Sequence, residues 1–436
     1  MSALLESLLD RDALANVSRR PQPEWLADLR AAVAVSLARE GLPGPRTEAW
    51  KYTSLRALEQ RAPMVGDADA STRAVDASTF ALPRTDGARL VFVNGVFRPD
   101  LSDAQTETGL SLSTLGAAKA AELEPWRNAF ARESRDSAGA FAQLNTMLAT
   151  DGPIVRVADG TRIARPVHLV LVGAAAECDI VWHARALIDI GAGAAVRLIE
   201  HHVAGGSAST PNFGNMVAQY RLGVGARVDL VQIQEAAPNA TLIRRSEFAL
   251  AARSALAAHT LELGAQLTRH DIDVDLAGDG ARFVSRGVFA LRGRQHADTH
   301  MDVRHQARDT ASDIVWRGVA DERARGVFHG AITVAAGADG ADANLSNKNL
   351  LLSPHAEIDT QPVLEIYADE VKAAHGATVG QIDERALFYL RSRGLPLEAA
   401  RRLLIAAFCG AVIADVPLPE LRDHLDAILA ARLDRN

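Results

Sequence analysis

Cysteine is scarce in this chain: its 436 residues include only Cys178 and Cys409, far apart in sequence. A secreted protein held together by disulfides carries more cysteines, so the pair indicates a reducing, cytoplasmic compartment. Aromatic residues are also few, at 5% of the chain. We expect both thiols to be buried apolar side chains that fill space in the core and do not act as ligands.

A surplus of positive charge is missing as well. The 47 basic residues are outnumbered by 54 acidic ones, which gives a net charge of −7. This balance argues against nucleic acid or an anionic membrane surface as a partner. The longest apolar run, 403–416, is shorter than the ~20 residues that a membrane-spanning helix needs. The first residues are acidic where a signal peptide requires basic ones, so we expect a soluble cytoplasmic protein.

Familiar catalytic and nucleotide-binding motifs are absent too. No GxxxxGK[ST], no GxGxxG between a strand and a helix, no HExxH, no CxxC and no GxSxG occurs. The sequence therefore provides no support for a P-loop ATPase, a dinucleotide-binding domain, a zinc protease or a serine hydrolase.

Short apolar strands dominate the middle of the chain. From Ile154 to Leu291 they are separated by tight Gly, Ala and Asp turns, without long amphipathic helices between them. Four of these turns begin at Gly191, Gly223, Ala251 and Gly278, and their starts are 32, 28 and 27 residues apart. A recurring period with several strands per repeat is typical of a β-solenoid, in which stacked coils supply the core. A β-sandwich is the alternative.

Helical patterns flank these strands on both sides. Leu26, Leu29, Val33 and Leu37 recur at helical spacing, and Gly41 ends that segment. Further along, Asn94-Gly95 between two apolar runs predicts a β-hairpin, and we expect residues 126–148 to be helical. After the strands, Asp383 and Pro396 mark the starts of helices. We predict three regions: a mostly helical N-terminal region with a linker, 1–150; a β-solenoid core, 151–382; and a C-terminal helical domain, 383–436.

Two polar stretches are candidate sites. In Gln295–His305 the residues His296, Asp298, His300, Asp302 and Arg304 alternate with small or apolar ones, so a strand would place them on one face. Such a face could bind a transition metal, and a solvated outer face is the alternative.

The second stretch, Glu365–Asp383, surrounds His375 with small residues and lies where strands give way to helices. Its imidazole could meet a partner and ligate iron there, or be a structural histidine.

Several motifs, in order, are similar to those of one family. They are RTEAWKYTSL (Arg46–Leu55), QHADTH (Gln295–His300), GVFHGAITV (Gly326–Val334), NKNLLLS (Asn347–Ser353), YADEVK with AHGATVGQID, and FYLRSRG (Phe388–Gly394). Together they resemble the SufD branch of the SufB/SufD family, whose members assemble iron–sulfur clusters with the ATPase SufC. The likeness extends over most of the chain.

The resemblance implies a right-handed parallel β-helix that pairs with a SufB-like paralogue, with C-terminal helices that dock a SufC-like ABC ATPase. It also implies a non-catalytic scaffold. The expected docking residues are Phe388, Tyr389, Arg391, Arg393, Leu403 and Phe408. The resemblance leaves open whether the isolated chain forms a homodimer.

His375 matches the histidine that the family is proposed to place against the cluster at the SufB–SufD interface. The family usually has cysteine two residues earlier, where this chain has Ala373. Two distant thiols cannot supply the roughly four ligands, mostly cysteine, of a cluster. We therefore expect no cluster held stably by the isolated chain, only a transient one at the shared interface.

Two other interpretations remain open. A β-helix can also form an enzyme that acts on polysaccharides or acyl groups, although no hexapeptide repeat is visible. SufB itself is the nearer alternative, but a SufB-like chain should carry more cysteines, including one at the position of Ala373.

Overall fold

The N-terminal part of the chain is helical, as the spacing of its leucines predicts. The computed structural model describes residues 2–66, 69–83, 85–105, 107–132, 139–206 and 210–433. Helices α1 to α7 span Ala3–Leu8, Arg11–Ser18, Glu24–Glu40, Arg56–Glu59, Ala120–Leu123, Arg127–Arg132 and Ala140–Leu148. Short 3₁₀ helices lie at Glu48–Trp50, Ala77–Phe80, Leu115–Ala117 and Glu124–Trp126. Gly41 ends α3 at φ 78°. The predicted helical stretch 126–148 includes residues 133–138, which lie outside the described residues.

Within the described ranges, twenty strands form two sheets of ten. Strands β1 to β10 span Met64–Val65, Arg89–Val93, Val96–Phe97, Leu110–Thr114, Pro153–Val157, Val167–Ala174, Ile180–Ile190, Ala195–Gly205, Asn212–Leu222 and Arg227–Glu235. Strands β11 to β20 span Thr241–Leu250, Ala255–Glu262, Leu267–Leu276, Arg282–Leu291, His296–His305, Ala311–Ala320, Arg325–Val334, Asp342–Leu351, Glu357–Ile366 and Lys372–Gly380. Sheet A holds β1, β4 and the odd strands from β5 to β19, and sheet B holds β2, β3 and the even strands from β6 to β20.

The chain alternates between the two sheets and thereby forms a parallel β-solenoid. Neighbours from β5 to β20 pair in parallel, each with the strand one coil earlier or later. Ala195 pairs with Arg227, Arg227 with Ala255, and Ala255 with Arg282. These register partners are separated by the same 32, 28 and 27 residues that the turns predict. The solenoid is confirmed and the sandwich is not.

The hairpin predicted from Asn94-Gly95 closes one end of the solenoid. β2 and β3 pair antiparallel through Phe92 with Phe97 and Val93 with Val96. Asn94 and Gly95 have φ values of 46° and 80°, as a type I′ turn requires. β2 then joins sheet B beside β6, and β4 pairs antiparallel with β5 in sheet A. Residues before 151 therefore contribute strands to both sheets.

The space between the sheets, here called the lumen, is filled by inward-facing side chains. Most are aliphatic or aromatic and completely buried. In the last coils some glycines face large side chains that leave no room for a Cβ atom. A Cβ on Gly287 would lie 2.2 Å from the Trp316 ring, and one on Gly330 would lie 2.5 Å from Leu345. Close coil packing thus depends on glycine at these two positions.

One row of turn residues adopts the left-handed conformation in successive coils. Gly193, Gly225 and Gly280 occupy it at φ 66–70°, and each donates its N–H to a carbonyl of the next coil. Arg253 and Asp309 occupy the same row at φ 56° and 53°. An arginine side chain in this conformation costs roughly 1–2 kcal/mol, whereas aspartate tolerates it better.

Replacing Arg253 with glycine should therefore stabilise the protein. We expect the free energy of unfolding to rise by about 0.5–1 kcal/mol, since relief of strain exceeds the added backbone entropy of the unfolded chain. Urea denaturation measures this change. Asp309→Gly is the matched comparison and should gain less. A loss of stability in Arg253→Gly would contradict the strain argument.

Three helices follow the solenoid and cover the outer face of sheet B. α8, α9 and α10 span Glu384–Ser392, Leu397–Ile413 and Pro419–Leu433. The Asp383 side chain caps α8 by accepting from Arg385 N at 2.8 Å, and Gly394 has φ 92° after that helix. α9 and α10 pack buried apolar side chains against outward-facing residues of sheet B, among them Ile199, Val231 and Leu261. The N-terminal helices pack in the same way on the outer face of sheet A.

Candidate interface site at the open end of the solenoid

The last coil has no neighbour on one side among the described residues. β19 pairs only with β17 and β20 only with β18, so both strands are sheet edges. Each edge exposes a row of backbone N–H and C=O groups that can pair with another strand. The opposite end of the solenoid carries the antiparallel strands β3 and β4. The two ends therefore differ, and only the C-terminal one ends in parallel strands.

His375 lies in this last coil with its side chain on the lumen side of the strand. It is the register partner of Leu345, which is buried to 1% exposure in the preceding coil. His375 is exposed, because no further coil in the described part of the chain covers it. Ala373 is the partner of buried Ala343 on the same face. The predicted site residue is thus accessible, at a position that one more coil would bury.

Apolar side chains surround this exposed end. Ile366, Tyr367 and Val379 are 43%, 65% and 42% exposed. The turn between β19 and β20 adds the exposed acids Asp369 and Glu370. Exposed apolar groups beside unpaired strand edges are typical of a protein–protein contact surface.

The NKNLLLS motif connects the last two strands to the preceding coil. Asn347 Oδ1 accepts from Thr360 Oγ1 at 2.8 Å, which joins β18 to β19 across the lumen. Asn349 Nδ2 donates to Asn347 Oδ1 at 2.6 Å and to the Thr378 carbonyl at 3.1 Å, which joins β18 to β20. These two asparagines, both buried, fix the strand that carries His375.

The N-terminal region contacts the polar strand 295–305. Its alternation is confirmed: His296, Asp298 and His300 lie on the outer face of sheet A. Thr53 of the WKYTSL segment donates to Asp298 and lies 2.8 Å from His296 Nε2. Trp50 lies 4.4 Å from the Arg269 guanidinium, measured to the ring centroid.

Within this contact the guanidinium of Arg269 pairs with the carboxylate of Asp298. Arg269 Nη1 donates to Asp298 at 2.7 Å, and Nη1 also donates to the Ala49 carbonyl at 2.8 Å. Burial alone would raise the pKa of Asp298, but Arg269 and the His300 and Thr53 hydrogen bonds lower it well below its usual value. Burial lowers the pKa of His296 to about 4. In the described ranges no three or more His, Cys, Asp or Glu side chains are arranged to hold a metal ion.

The expectation for the two cysteines was half wrong. Cys409 is buried between α9 and sheet B, and burial raises the pKa of its thiol to about 12. Cys178 is exposed in the connection between β6 and β7. Cys178 lies outside the core because that connection runs over the protein surface. The strand pattern on either side does not predict whether a residue in the connection is buried.

The predicted docking residues lie on the C-terminal helices. Phe388 and Tyr389 on α8 are 73% and 56% exposed, and Leu403 on α9 is 50% exposed. Arg391 is exposed at the end of α8 and Arg393 follows it. Phe408 differs: it is half-buried, with the Arg317 guanidinium 5.6 Å from its ring centroid. Most of this set therefore forms an exposed apolar and basic surface.

A buried ionic cluster in the middle coils was not predicted. Arg244 contacts Glu262 Oε1 and lies 3.5 Å from Glu200 Oε1 in the lumen. His202 Nε2 is 2.8 Å from Glu200 Oε1, and Tyr220 donates to Glu200 Oε2 at 2.9 Å. Burial would raise the pKa of Glu200, yet the His202 hydrogen bond and Arg244 hold it at about 2. Charged residues on the inward face of otherwise apolar strands were the signal available in the sequence.

The class that this fold and site define is a two-sheet β-solenoid with helical regions on both outer faces and an exposed imidazole at its open end. Comparisons with known proteins agree. Residues 172–408 match the family model described as SUF system FeS cluster assembly, SufBD core domain, and residues 12–169 match the SufBD protein N-terminal region.

Two relatives cover nearly the whole chain. An iron–sulfur cluster assembly SufBD family protein of Synechocystis is 31% identical over 417 residues, 93% of this chain and 91% of its own. The iron–sulfur cluster assembly protein SufD of Escherichia coli is 31% identical over 407 residues, 91% and 90% of the two chains. SufD of Bacillus subtilis is 32% identical over 159 residues, 36% of each chain.

This chain belongs to the SufBD family of iron–sulfur cluster assembly proteins. Membership supports a role in iron–sulfur cluster assembly. No helix among the residues described is both long enough and apolar enough to cross a membrane.

Proposed function

We propose that this chain is a scaffold subunit of iron–sulfur cluster assembly that performs no catalytic turnover itself. It pairs with a SufB-like paralogue through its last coil and docks a SufC-like ABC ATPase through its C-terminal helices. The cluster is the cargo of that complex, formed transiently at the contact between the two solenoids, and the isolated chain does not hold it stably. Without the paralogue, the same end pairs with a second copy.

The observation that carries this proposal is the open last coil with His375 exposed on its inward face. Strands of a partner added beside β19 and β20 would enclose that imidazole. A neutral imidazole can ligate iron when thiolates occupy the other positions. Because Ala373 replaces the family's cysteine here, those thiolates come from the partner. The exposed rings and guanidinium groups on α8 support the second contact, since aromatic residues and arginine predominate in binding hot spots.

His375→Ala should lower the cluster content of the reconstituted complex by roughly tenfold or more, as expected when a ligand or its close support is lost. The subunit should stay folded and retain its partners, because the exposed side chain makes no contact that the solenoid needs. Iron and sulfide analysis with visible absorption gives the readout. Exposed His355 provides the matched control, His355→Ala. Unchanged cluster content in His375→Ala would remove the proposed role.

Phe388→Asp should weaken retention of the ATPase by about 2 kcal/mol or more, the usual effect of truncating a hot-spot side chain. Titration of the purified ATPase into the variant measures this loss. Val35, which is 70% exposed on α3, offers the control substitution Val35→Asp on the opposite helical region. Equal affinity in Phe388→Asp and the unmodified chain would place the ATPase contact elsewhere.

A further inference from the structure

Two imidazoles lie side by side on the outer face of sheet A, away from the last coil's lumen. His300 in β15 and His329 in β17 are register partners on adjacent parallel strands. Their rings are stacked, with centroids 4.8 Å apart and an interplanar angle of 22°. Both residues are half-buried and reach solvent. Because the sheet backbone holds both strands, the distance between the rings is set by the rigid part of the fold.

Polar side chains lie beside both imidazoles, as is usual for imidazoles that bind metal ions. His300 Nε2 lies 3.1 Å from Asp298 Oδ1, and Asp298 is itself held by Arg269 and Thr53. A carboxylate beside Nε2 favours the tautomer with its proton on Nε2, which leaves the Nδ1 lone pair available to bind a ligand. Gln361 in β19 is the register partner of His329 and lies beside it on the same face.

We propose that His300 and His329 together bind one divalent transition metal ion of the kind that imidazole prefers, such as Ni²⁺, Cu²⁺ or Zn²⁺. Two nitrogens at about 2.1 Å from a metal, in adjacent coordination positions, are about 3 Å apart. Binding therefore requires the stacked rings, now 4.8 Å apart, to tilt toward each other. Asp271, the register partner of His300, already accepts a hydrogen bond from Arg269 Nη2 at 2.7 Å. The protein thus supplies two ligands, and water fills the remaining positions.

Calorimetric titration of the tag-free, full-length protein with Ni²⁺ alone tests this site. We expect binding with one ion per chain, weakened roughly tenfold or more in both His300→Gln and His329→Gln. Exposed His355 gives the matched control His355→Gln, which should titrate like the unmodified chain. An unchanged isotherm in His329→Gln would overturn the proposal.

If His300→Gln or His329→Gln fails to fold, a variant that adds a third ligand still tests the site. Gln361→His places a third imidazole in register beside His329, on the same outer face. It should tighten Ni²⁺ binding by roughly tenfold or more, and copper-bound protein should show one additional nitrogen ligand by electron paramagnetic resonance. Affinity that does not rise in Gln361→His would count against a metal at this pair. Neither result depends on His375 or on cluster assembly.

Discussion

Replacing Arg244 with methionine should lower the free energy of unfolding by about 3–5 kcal/mol, the usual result of removing one partner from a buried ionic group. Arg244 supplies the positive charge between Glu200 and Glu262 in the lumen. All three side chains are at most 2% exposed. Without the guanidinium, two carboxylates face each other in a region that water does not reach.

Removal of all three charges separates this electrostatic effect from simple loss of packing. The triple variant Arg244→Met, Glu200→Gln, Glu262→Gln should recover most of the lost stability, because no uncompensated charge remains buried. Exposed Arg282 provides the control Arg282→Met, with an expected change within about 0.5 kcal/mol. Urea denaturation followed by tryptophan fluorescence gives all three values. A triple variant as unstable as the single one would mean that shape, not charge, is decisive here.

The second large effect is loss of stability in mild acid. Burial lowers the pKa of several histidines from 6.5, to about 3 or about 4 in the folded chain. These residues are His183, at about 3, and His259, His296 and His305, each at about 4. Below pH 6.5 these histidines become protonated in the unfolded chain but stay neutral in the folded chain. The free energy of unfolding therefore falls as the pH decreases toward 4.

Each of these histidines should cost about 1–2 kcal/mol at pH 5, so together they remove several kcal/mol. Carboxylates such as Glu200 lose their stabilising effect only at lower pH, between 4.5 and about 2. The measurement is the urea midpoint as a function of pH from 8 to 5.

The variant His305→Gln can keep hydrogen bonds to Thr310 and Ser312 yet does not titrate, so its dependence on pH should be shallower. Exposed His355→Gln should leave the dependence as it is in the unmodified chain. A midpoint that stays constant from pH 7 to pH 5 would contradict the linkage.

Much of the solenoid could be predicted because its signals are local. The spacing of turns at Gly191, Gly223 and Ala251 equals the register of the strands, since one coil must return the chain to the same place. The Asn94-Gly95 hairpin and the Asp383 cap also follow from the conformational preferences of single residues.

What could not be predicted depends on residues distant in sequence. The contact of Thr53 with Asp298 joins positions 245 residues apart, and no local pattern encodes it. The alternation places Glu200 and Arg244 on the inward faces of their strands, but it does not show that these two residues face each other across the lumen. The exposure of His375 follows because β20 is the last strand of sheet B among the described residues, and this depends on how all the coils stack.

The coils stack at a uniform spacing, so the number of coils determines the length of the solenoid. Each complete coil adds one strand to each sheet and about 4.8 Å to the axis, whatever residues its turns contain. Duplication or deletion of one coil would therefore change the distance between the hairpin end and the histidine end in a single fixed step. The reach of such a subunit therefore changes in whole coils, while the spacing itself is kept by close-packed positions such as Gly287 and Gly330.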